Sequence, residues 1–343
     1  MRTEINNLGE FGLIDRLTKD IKLAQKSSLK GVGDDAAVLE YRESEVLITT
    51  DLLLEGIHFD LTYVPLKHLG YKAAIVNFSD IYAMNGQPRQ ITVSLGISKR
   101  FSVEDIEELY QGLRLACEIY GVDIVGGDTS ASLTGLTISI TCIGEADKER
   151  IVYRNRAQAS DLICVSGDLG AAYMGLQLLE REKKVFDGQE NFTPDFGGRE
   201  YLLERQLKPE ARKDIVRQLT EENLLPTSMI DLSDGLSSDL LHLCAQSHVG
   251  CLIYEDRLPI DYQTAAMAEQ FNMNVTTVAL NGGEDYELLF TLPLKDHQQA
   301  ATLTGITIIG HTTPQDEGTH LITRDQTLVP LTAQGWNQLS VNS

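Results

Sequence analysis

The chain has 343 residues, 42% of them hydrophobic, enough for about two domains with cores of their own. Lys and Arg number 29 against 50 Asp and Glu, a net charge of −21, which argues against a nucleic-acid backbone or an anionic membrane surface as partner. No apolar run approaches the ~18 residues of a membrane span, MRTEINNLGEF lacks the apolar stretch of a signal peptide, and five cysteines without CxxC or zinc spacing read as buried free thiols in a reducing cytoplasm.

A short helix over 11–17 precedes a Gly-Val-Gly turn that delivers Asp34 and Asp35. A strand at 46–50 then ends on Asp51, and His58 follows after Gly56. Turn, strand and strand end gather hard oxygen ligands, which suit Mg²⁺ rather than zinc. A helix is expected over about 66–84, with Asp80 in an apolar setting and Asn77 on the same face. An ionised carboxylate there is costly to bury unless it is paired or ligates a metal. The alternative is a surface-facing Asp at the helix end, or one capping a neighbouring loop. A strand at 90–97 and a helix at 103–120 follow, the helix opened by Ser102 with Asp105 three residues on. Further strands are expected at 122–125 and 136–144. Gly126-Gly127-Asp128 follows the first of them, a common ligand position that an Asx turn would also explain. Long helices between strands point to layered α/β structure. The polar stretch 145–160 divides the chain into domains 1–150 and 151–343.

The second half opens with a strand at 161–165 and the turn Ser166–Gly170 into a helix. A Gly, Pro and charge-rich loop covers 184–199, and a helix lies near 209–222. Asp231-Leu232-Ser233-Asp234-Gly235 then stands before a helix at 236–247, whose apolar positions have helical spacing. Capping by Ser233 or Asp234 explains one of these residues but not Asp231 after an apolar strand. Helix N-termini also suit phosphates. A strand at 251–254, a helix at 262–271, Asn281–Tyr286 leading into a strand at 287–292, and a final helix and strand complete the domain. Trp336, the only tryptophan, reads either as a tail anchor or as a stacking face for a cationic ring. His58 could serve as a general base, but a lone histidine is more often structural or a substrate contact. There is no Walker A loop, no kinase HRD or DFG set and no nucleophile elbow. Asp34, Asp51, Asp80, Asp128, Asp231 and Asp234 together point to a multi-Mg²⁺ cleft that binds nucleotide without a P-loop.

GVGDDAAV, TTDLLLEGIHF, NFSDIYAMNGQP, GGDTS, DLSDGL and GGEDYELLF occur in this order over roughly residues 10–340. The ordered set resembles the thiamine-monophosphate kinases, of the superfamily that includes aminoimidazole ribonucleotide synthetase and selenophosphate synthetase. The resemblance implies a two-domain fold of that superfamily, α/β (α+β) in class. Its N-terminal mixed sheet would pair across a homodimer and bind ATP and Mg²⁺. Its C-terminal α/β domain would close the cleft. The implied reaction is ATP plus thiamine monophosphate giving ADP plus thiamine diphosphate, the last step in making that cofactor. Implied Mg²⁺ ligands are Asp34, Thr49, Thr50, Asp51, Asp80, Asp128, Asp231 and Asp234. ATP would contact Tyr110, Gly127, Asp128, Arg154 and Ser233; thiamine monophosphate would contact His58, Glu284 and Trp336.

The acceptor is a phosphate monoester with a second pKa near ~6, already mostly dianionic at neutral pH, so a strong base is unnecessary. Asp51, Asp80 and Asp231 are therefore expected to act through Mg²⁺ on a direct in-line transfer. Arg156 stands where Gly is common after Arg154, and Asn85-Gly86 replaces a more usual Gly-Ala. Sibling synthetases remain an alternative. The selenium enzyme, however, uses a reactive residue near its N-terminus, whereas the first cysteine here is Cys117. A non-catalytic Mg²⁺-nucleotide-binding regulator is the other alternative.

Overall fold

Alternation of buried and outward residues shapes the first sheet of the computed structural model, which describes residues 16–30, 38–41, 44–186 and 196–334. A helical turn at 16–18 and a small antiparallel ribbon of β1 (Ser28–Lys30) and β2 (Val38–Leu39) come first. Then follow β3 (Glu45–Leu54), α1 (Leu66–Ala83), β4 (Gln87–Ile97), α2 (Val103–Tyr120), β5 (Asp123–Ala131) and β6 (Leu136–Ala146). The four strands β3 to β6 form a mixed sheet in the order β3-β6-β4-β5, antiparallel except for the parallel β4–β5 pair.

Ile138, Ile140 and Cys142 of β6 and Val93 and Leu95 of β4 are buried on one face of this sheet. α1 packs against the sheet and against α2, which buries most of its residues from Leu69 to Ala83. The α1–α2 crossing depends on two glycines. A Cβ on Gly70 would lie 2.0 Å from the Leu109 carbonyl oxygen, and one on Gly112 would lie 1.8 Å from that of Lys67. α2 starts where its sequence predicts. Ser102 Oγ accepts from Asp105 N at 3.3 Å, and Asp105 Oδ2 accepts from Ser102 N at 2.7 Å. The buried Asp123 carboxylate accepts from the Ala24 and Gln25 amides at 2.7 and 3.0 Å, tying the segment before β1 to the start of β5.

Two strands run longer than expected, and this changes where their acids sit. β3 pairs with β6 as far as Leu54, so Asp51 lies inside a strand rather than at its end. β5 pairs with β4 through Ala131, so Gly126, Gly127 and Asp128 are strand residues and not a turn.

The chain divides into two units after Ile151. The second contains β7 (Leu162–Ser166), α3 (Ala171–Phe186), α4 (Glu200–Leu207), α5 (Lys213–Glu221), β8 (Ser228–Asp231), α6 (Leu236–Ser247) and β9 (Val249–Tyr254). It continues through α7 (Tyr262–Gln270), α8 (Val275–Asn281), β10 (Leu288–Leu292), α9 (His297–Ala300), β11 (Ile306–Pro314), β12 (Thr319–Ile322) and β13 (Leu328–Pro330). Its seven strands are ordered β13-β12-β9-β11-β7-β10-β8, with only the β12–β9 pair parallel. β7, β8 and β10 are buried along their whole length, so they read as continuous rather than alternating runs. Leu236, Leu240, Leu243 and Cys244 of α6 join Ile163, Val165, Ile230 and Leu289 in one core.

α4, α8, β12 and β13 are not legible as separate elements in the sequence, and residues 184–186 continue α3 instead of starting a loop. Residues 187–195 of that loop and 11–15 of the expected first helix lie outside the described residues. Among the described residues no helix is long and apolar enough to cross a membrane.

The helix crossing is open to test. Ala in place of Gly112 gains about 1 kcal/mol of helix propensity. Overpacking costs about 1–3 kcal/mol, and the atom met is a backbone oxygen that cannot rotate aside. Gly112→Ala should therefore lower the thermal midpoint, by about 2–4 °C. A midpoint at or above the parent's would show that the two helices do not touch there.

Candidate active site

Thr49 and Asp51 lie on the β3 face that α1 covers, alongside the buried Leu47 and Leu53. Thr49 Oγ1 donates to Asp80 Oδ2 at 2.5 Å, so Asp80 faces the sheet and is not a surface residue at a helix end. Burial first, and the charge of Asp80 second, push the Asp51 carboxyl up to about 6. Asp51 Oδ2 is buried and has no hydrogen-bond partner among the described residues, nor has Asn77 Oδ1 on α1. Thr50 turns to the opposite face, where its hydroxyl donates to the Ile140 carbonyl at 3.1 Å.

An orphaned carboxylate oxygen beside a second acid and a hydroxyl is an all-oxygen donor set lacking positive charge. It fits a hard divalent cation such as Mg²⁺. Among the described residues no three Asp, Glu, His or Cys side chains close into a full cage. Mg²⁺ tolerates this, because it keeps several waters and takes phosphate oxygens as ligands.

The loop after β3 fixes His58. Leu54 N donates to His58 Nδ1 at 3.0 Å, and His58 N donates to Leu54 O at 2.9 Å. In the neutral ring the proton then sits on Nε2, which is left as a donor. Leu54, Glu55, Gly56 and Ile57 of this loop, with Arg100 and Gly135 among others, line an open pocket of about 440 Å³. Asp128 is exposed on β5, the edge strand opposite β3. Three strand spacings amount to roughly 14 Å, so the sheet does not bring Asp128 beside Asp51 and Asp80. The neighbouring Gly127 is required by packing: a Cβ there would lie 1.9 Å from Val93 O. Tyr110 is buried on α2, and burial pushes its hydroxyl up to about 12. Asp34, Asp35 and Trp336 lie outside the described residues.

In the second unit β8 ends on the buried Asp231. Leu232 N donates to Glu287 O at 2.8 Å, Tyr286 N to Leu232 O at 2.9 Å, and Glu284 N to Ser233 O at 2.8 Å. The segments Asp231–Gly235 and Gly282–Glu287 thus run side by side. Their approach needs Gly283, where a Cβ would sit 2.6 Å from Ser233 O. Glu284 and Tyr286 adopt φ of 65° and 51°, left-handed values that are uncommon outside glycine and concentrate at functional sites. Helix capping does not account for Ser233 or Asp234, because the residue at the start of α6 is Gly235, with no side-chain cap.

Sequence reasoning missed Asp239. It lies in the first turn of α6, 3% exposed, and its Oδ2 accepts from Asp234 N at 3.3 Å. Burial, then the charges of Asp231 and Asp234, push its carboxyl up to about 8. The signal was available: position 239 falls on the same helical stripe as Leu236, Leu240 and Leu243, where a carboxylate has no place unless it is used. Arg154 is held through its backbone, its carbonyl accepting from Ser247 Oγ at 2.9 Å, while its side chain is exposed. Arg156 lies over the Tyr153 ring at 4.2 Å. Asn85 takes φ of 60°, which Asn tolerates, and its amide donates to Arg150 O at 2.8 Å.

Residues 33–146 match the family described as AIR synthase related protein, N-terminal domain. A thiamine-monophosphate kinase of Aquifex aeolicus (strain VF5) is 38% identical over 289 residues, covering 84% of this chain and 87% of its own. One of Bacillus subtilis (strain 168) is 31% identical over 337 residues, covering 96% and 99%. The chain belongs to the thiamine-monophosphate kinase family. Among solved structures, AaThiL complexed with AMPPCP and TMP is similar over 98% of both chains, at 36% identity and a TM-score of 0.74. Hydrogenase maturation protein HypE in complex with ATP shares the fold, at 20% identity and a TM-score of 0.73 over 95% of this chain and 96% of its own. The two sheets with their helices are thus the α/β architecture that thiamine-monophosphate kinases share with the wider superfamily.

For a thiamine-monophosphate kinase, the strain at Asp51 has a measurable consequence. The folded chain binds the Asp51 proton more tightly than the unfolded chain does, at about 6 against 3.8. Stability relative to an uncharged residue is therefore lost as pH rises through that window, and the loss is complete above it. In chelator at pH 8, Asp51→Asn should melt above the parent by about 2–4 °C, with the gap closing near pH 4. Added Mg²⁺ should raise the parent's midpoint more than the variant's. Equal midpoints at pH 8 would show that burial and the Asp80 charge do not strain an ionised Asp51.

Proposed function

We propose that the chain transfers the γ-phosphoryl group of ATP directly to the phosphate of thiamine monophosphate, giving ADP and thiamine diphosphate. The supporting observation is its similarity, along 98% of its length, to AaThiL complexed with AMPPCP and TMP. The obstacle to such a reaction is repulsion between two polyanions, and Mg²⁺, when bound, supplies the positive charge that offsets it. Asp51 and Asp80, with Thr49, would hold it in the first unit. Asp34, Asp128, Asp231 and Asp234 would serve further Mg²⁺ ions distinct from that one, and Thr50 does not join Asp51 and Asp80 because its hydroxyl turns to the opposite face of β3. The Nε2–H of His58 donates to thiamine monophosphate. Glu284 meets the fixed positive charge of the thiazolium, and Trp336 offers it a ring face. Tyr110, Gly127, Asp128, Ser233 and Arg154 contact ATP, the exposed Arg154 guanidinium suiting its phosphates. No side chain is required as a strong base, since the acceptor arrives as a dianion.

The protein acts as a homodimer in this reading. Val46, Ile48 and Leu52 are 43%, 69% and 52% exposed on the β3 face turned away from α1. A ten-residue edge strand presenting such a stripe to water is a surface built for pairing. Five free, buried cysteines support a cytoplasmic setting.

Incubation with MgATP should release ADP when thiamine monophosphate is added but not with thiamine, and thiamine diphosphate should form in equal amount. Asp51→Asn and Asp231→Asn should each cut turnover by at least ~100-fold. Parental rates in either variant at saturating Mg²⁺ would remove that acid from the reaction. Ile48→Asp should convert a dimer to a monomer in light scattering, and an unchanged mass would discard this face as the interface.

A further inference from the structure

α4 brings three side chains to the Ser166–Gly170 turn and the Gly282–Glu287 segment. The Tyr201 hydroxyl donates to Asp168 Oδ2. Arg205 Nη2 donates to the Asp168 carbonyl at 3.1 Å and pairs with Glu287 Oε1 at 2.9 Å. Gln206 Nε2 donates to Glu284 Oε2 at 2.9 Å. The partners of Arg205 are themselves fixed. Glu287 Oε2 accepts from Ser166 Oγ and Arg212 Nη1, each at 2.5 Å, and Asp285 Oδ2 accepts from Gly170 N at 2.7 Å. Gln206 is 5% exposed, beside Asp285 at 2% and Glu287 at 1%.

We propose that Gln206 is a positioning residue for thiamine monophosphate, its side-chain amide holding the Glu284 carboxylate in the orientation that receives the substrate's cationic ring. The proposal rests on the reading of Glu284 as a substrate contact. Adjacent residues on α4 divide the work. Arg205 spends its charge on Glu287 and Asp285, while the neutral Gln206 reaches Glu284. An arginine or lysine in that place would cancel the negative charge that a thiazolium needs. An amide donor restrains the carboxylate and leaves its charge intact. A free glutamate side chain samples many rotamers, and ordering it on binding weakens affinity. A buried donor that selects one rotamer beforehand removes that loss. The effect belongs to substrate binding and not to the transfer step. Tyr201 and Arg205 already dock α4, so Gln206 is not needed for that purpose.

The test is steady-state kinetics on the full chain. Gln206→Leu, similar in volume but without the donor, should raise KM for thiamine monophosphate about ten-fold. KM for ATP and kcat should change less than about two-fold, with the thermal midpoint near the parent's. Glu284→Gln should raise the same KM at least as much, and the double variant should be no worse than Glu284→Gln alone. Gln206→Glu adds a like charge at neutral pH. On acidification its carboxyl can take a proton and donate, so its KM defect should shrink relative to that of Gln206→Leu. A raised KM in Glu284→Gln with an unchanged KM in Gln206→Leu overturns the role of Gln206 alone, as do additive effects in the double variant. An unchanged KM in Glu284→Gln, with thiamine diphosphate still formed, removes Glu284 as a contact and this proposal with it, leaving the reaction itself standing. If Gln206→Leu does not fold, the pH response of Gln206→Glu decides: a defect that does not shrink in acid overturns the proposal.

Discussion

Two carboxylates held side by side away from bulk water govern the first unit. Asp51 and Asp80 repel each other, and burial removes the solvent that would screen them. The surrounding fold keeps them together all the same. Asp51 is locked by continuous pairing of β3 with β6, and Asp80 rides on a helix buried along most of its length. Rigid elements of this kind fix the two side chains' attachment points.

The second unit contains a contrasting solution. Asp285 and Glu287 are more deeply buried than Asp51, yet they have compensation built in: Arg205, Arg212, a serine hydroxyl and backbone amides. Burial first, with the charges of Glu287 and Asp168, raises the Asp285 carboxyl to about 7, against the pull of Arg205 and the Gly170 amide. Acids that carry their own counter-charge hold the chain together, and here they hold the segment that bears Glu284.

Much of this was legible in the chain, because the physics was local. Ser102 and Asp105 announce the start of α2 three residues apart, and the apolar spacing of α6 gives that helix directly. Asp51 and Asp231 were found because each follows an apolar run in which a carboxylate is out of place. What the sequence concealed was non-local. The end of β3 is decided by its partner strand, which lies about 90 residues further on. α8 is rich in β-branched residues, and its one clear helix signal is Asn274, whose side chain caps Thr277 N at 2.9 Å. α4 sits in polar sequence, and Gln206 has meaning only through Glu284, across 78 positions. The separation of Asp128 from Asp51 follows from strand order, which no periodicity reveals.

The left-handed backbone at Glu284 bears on how this chain evolves. Glycine would sit there with less strain, by about 1 kcal/mol or more, and two glycines already stand immediately before it. Random substitution filtered only for folding would drift toward Gly or Asn at this position. The glutamate there carries a backbone strain that glycine would not. It can be recognised in a single sequence and structure, without any ligand in view.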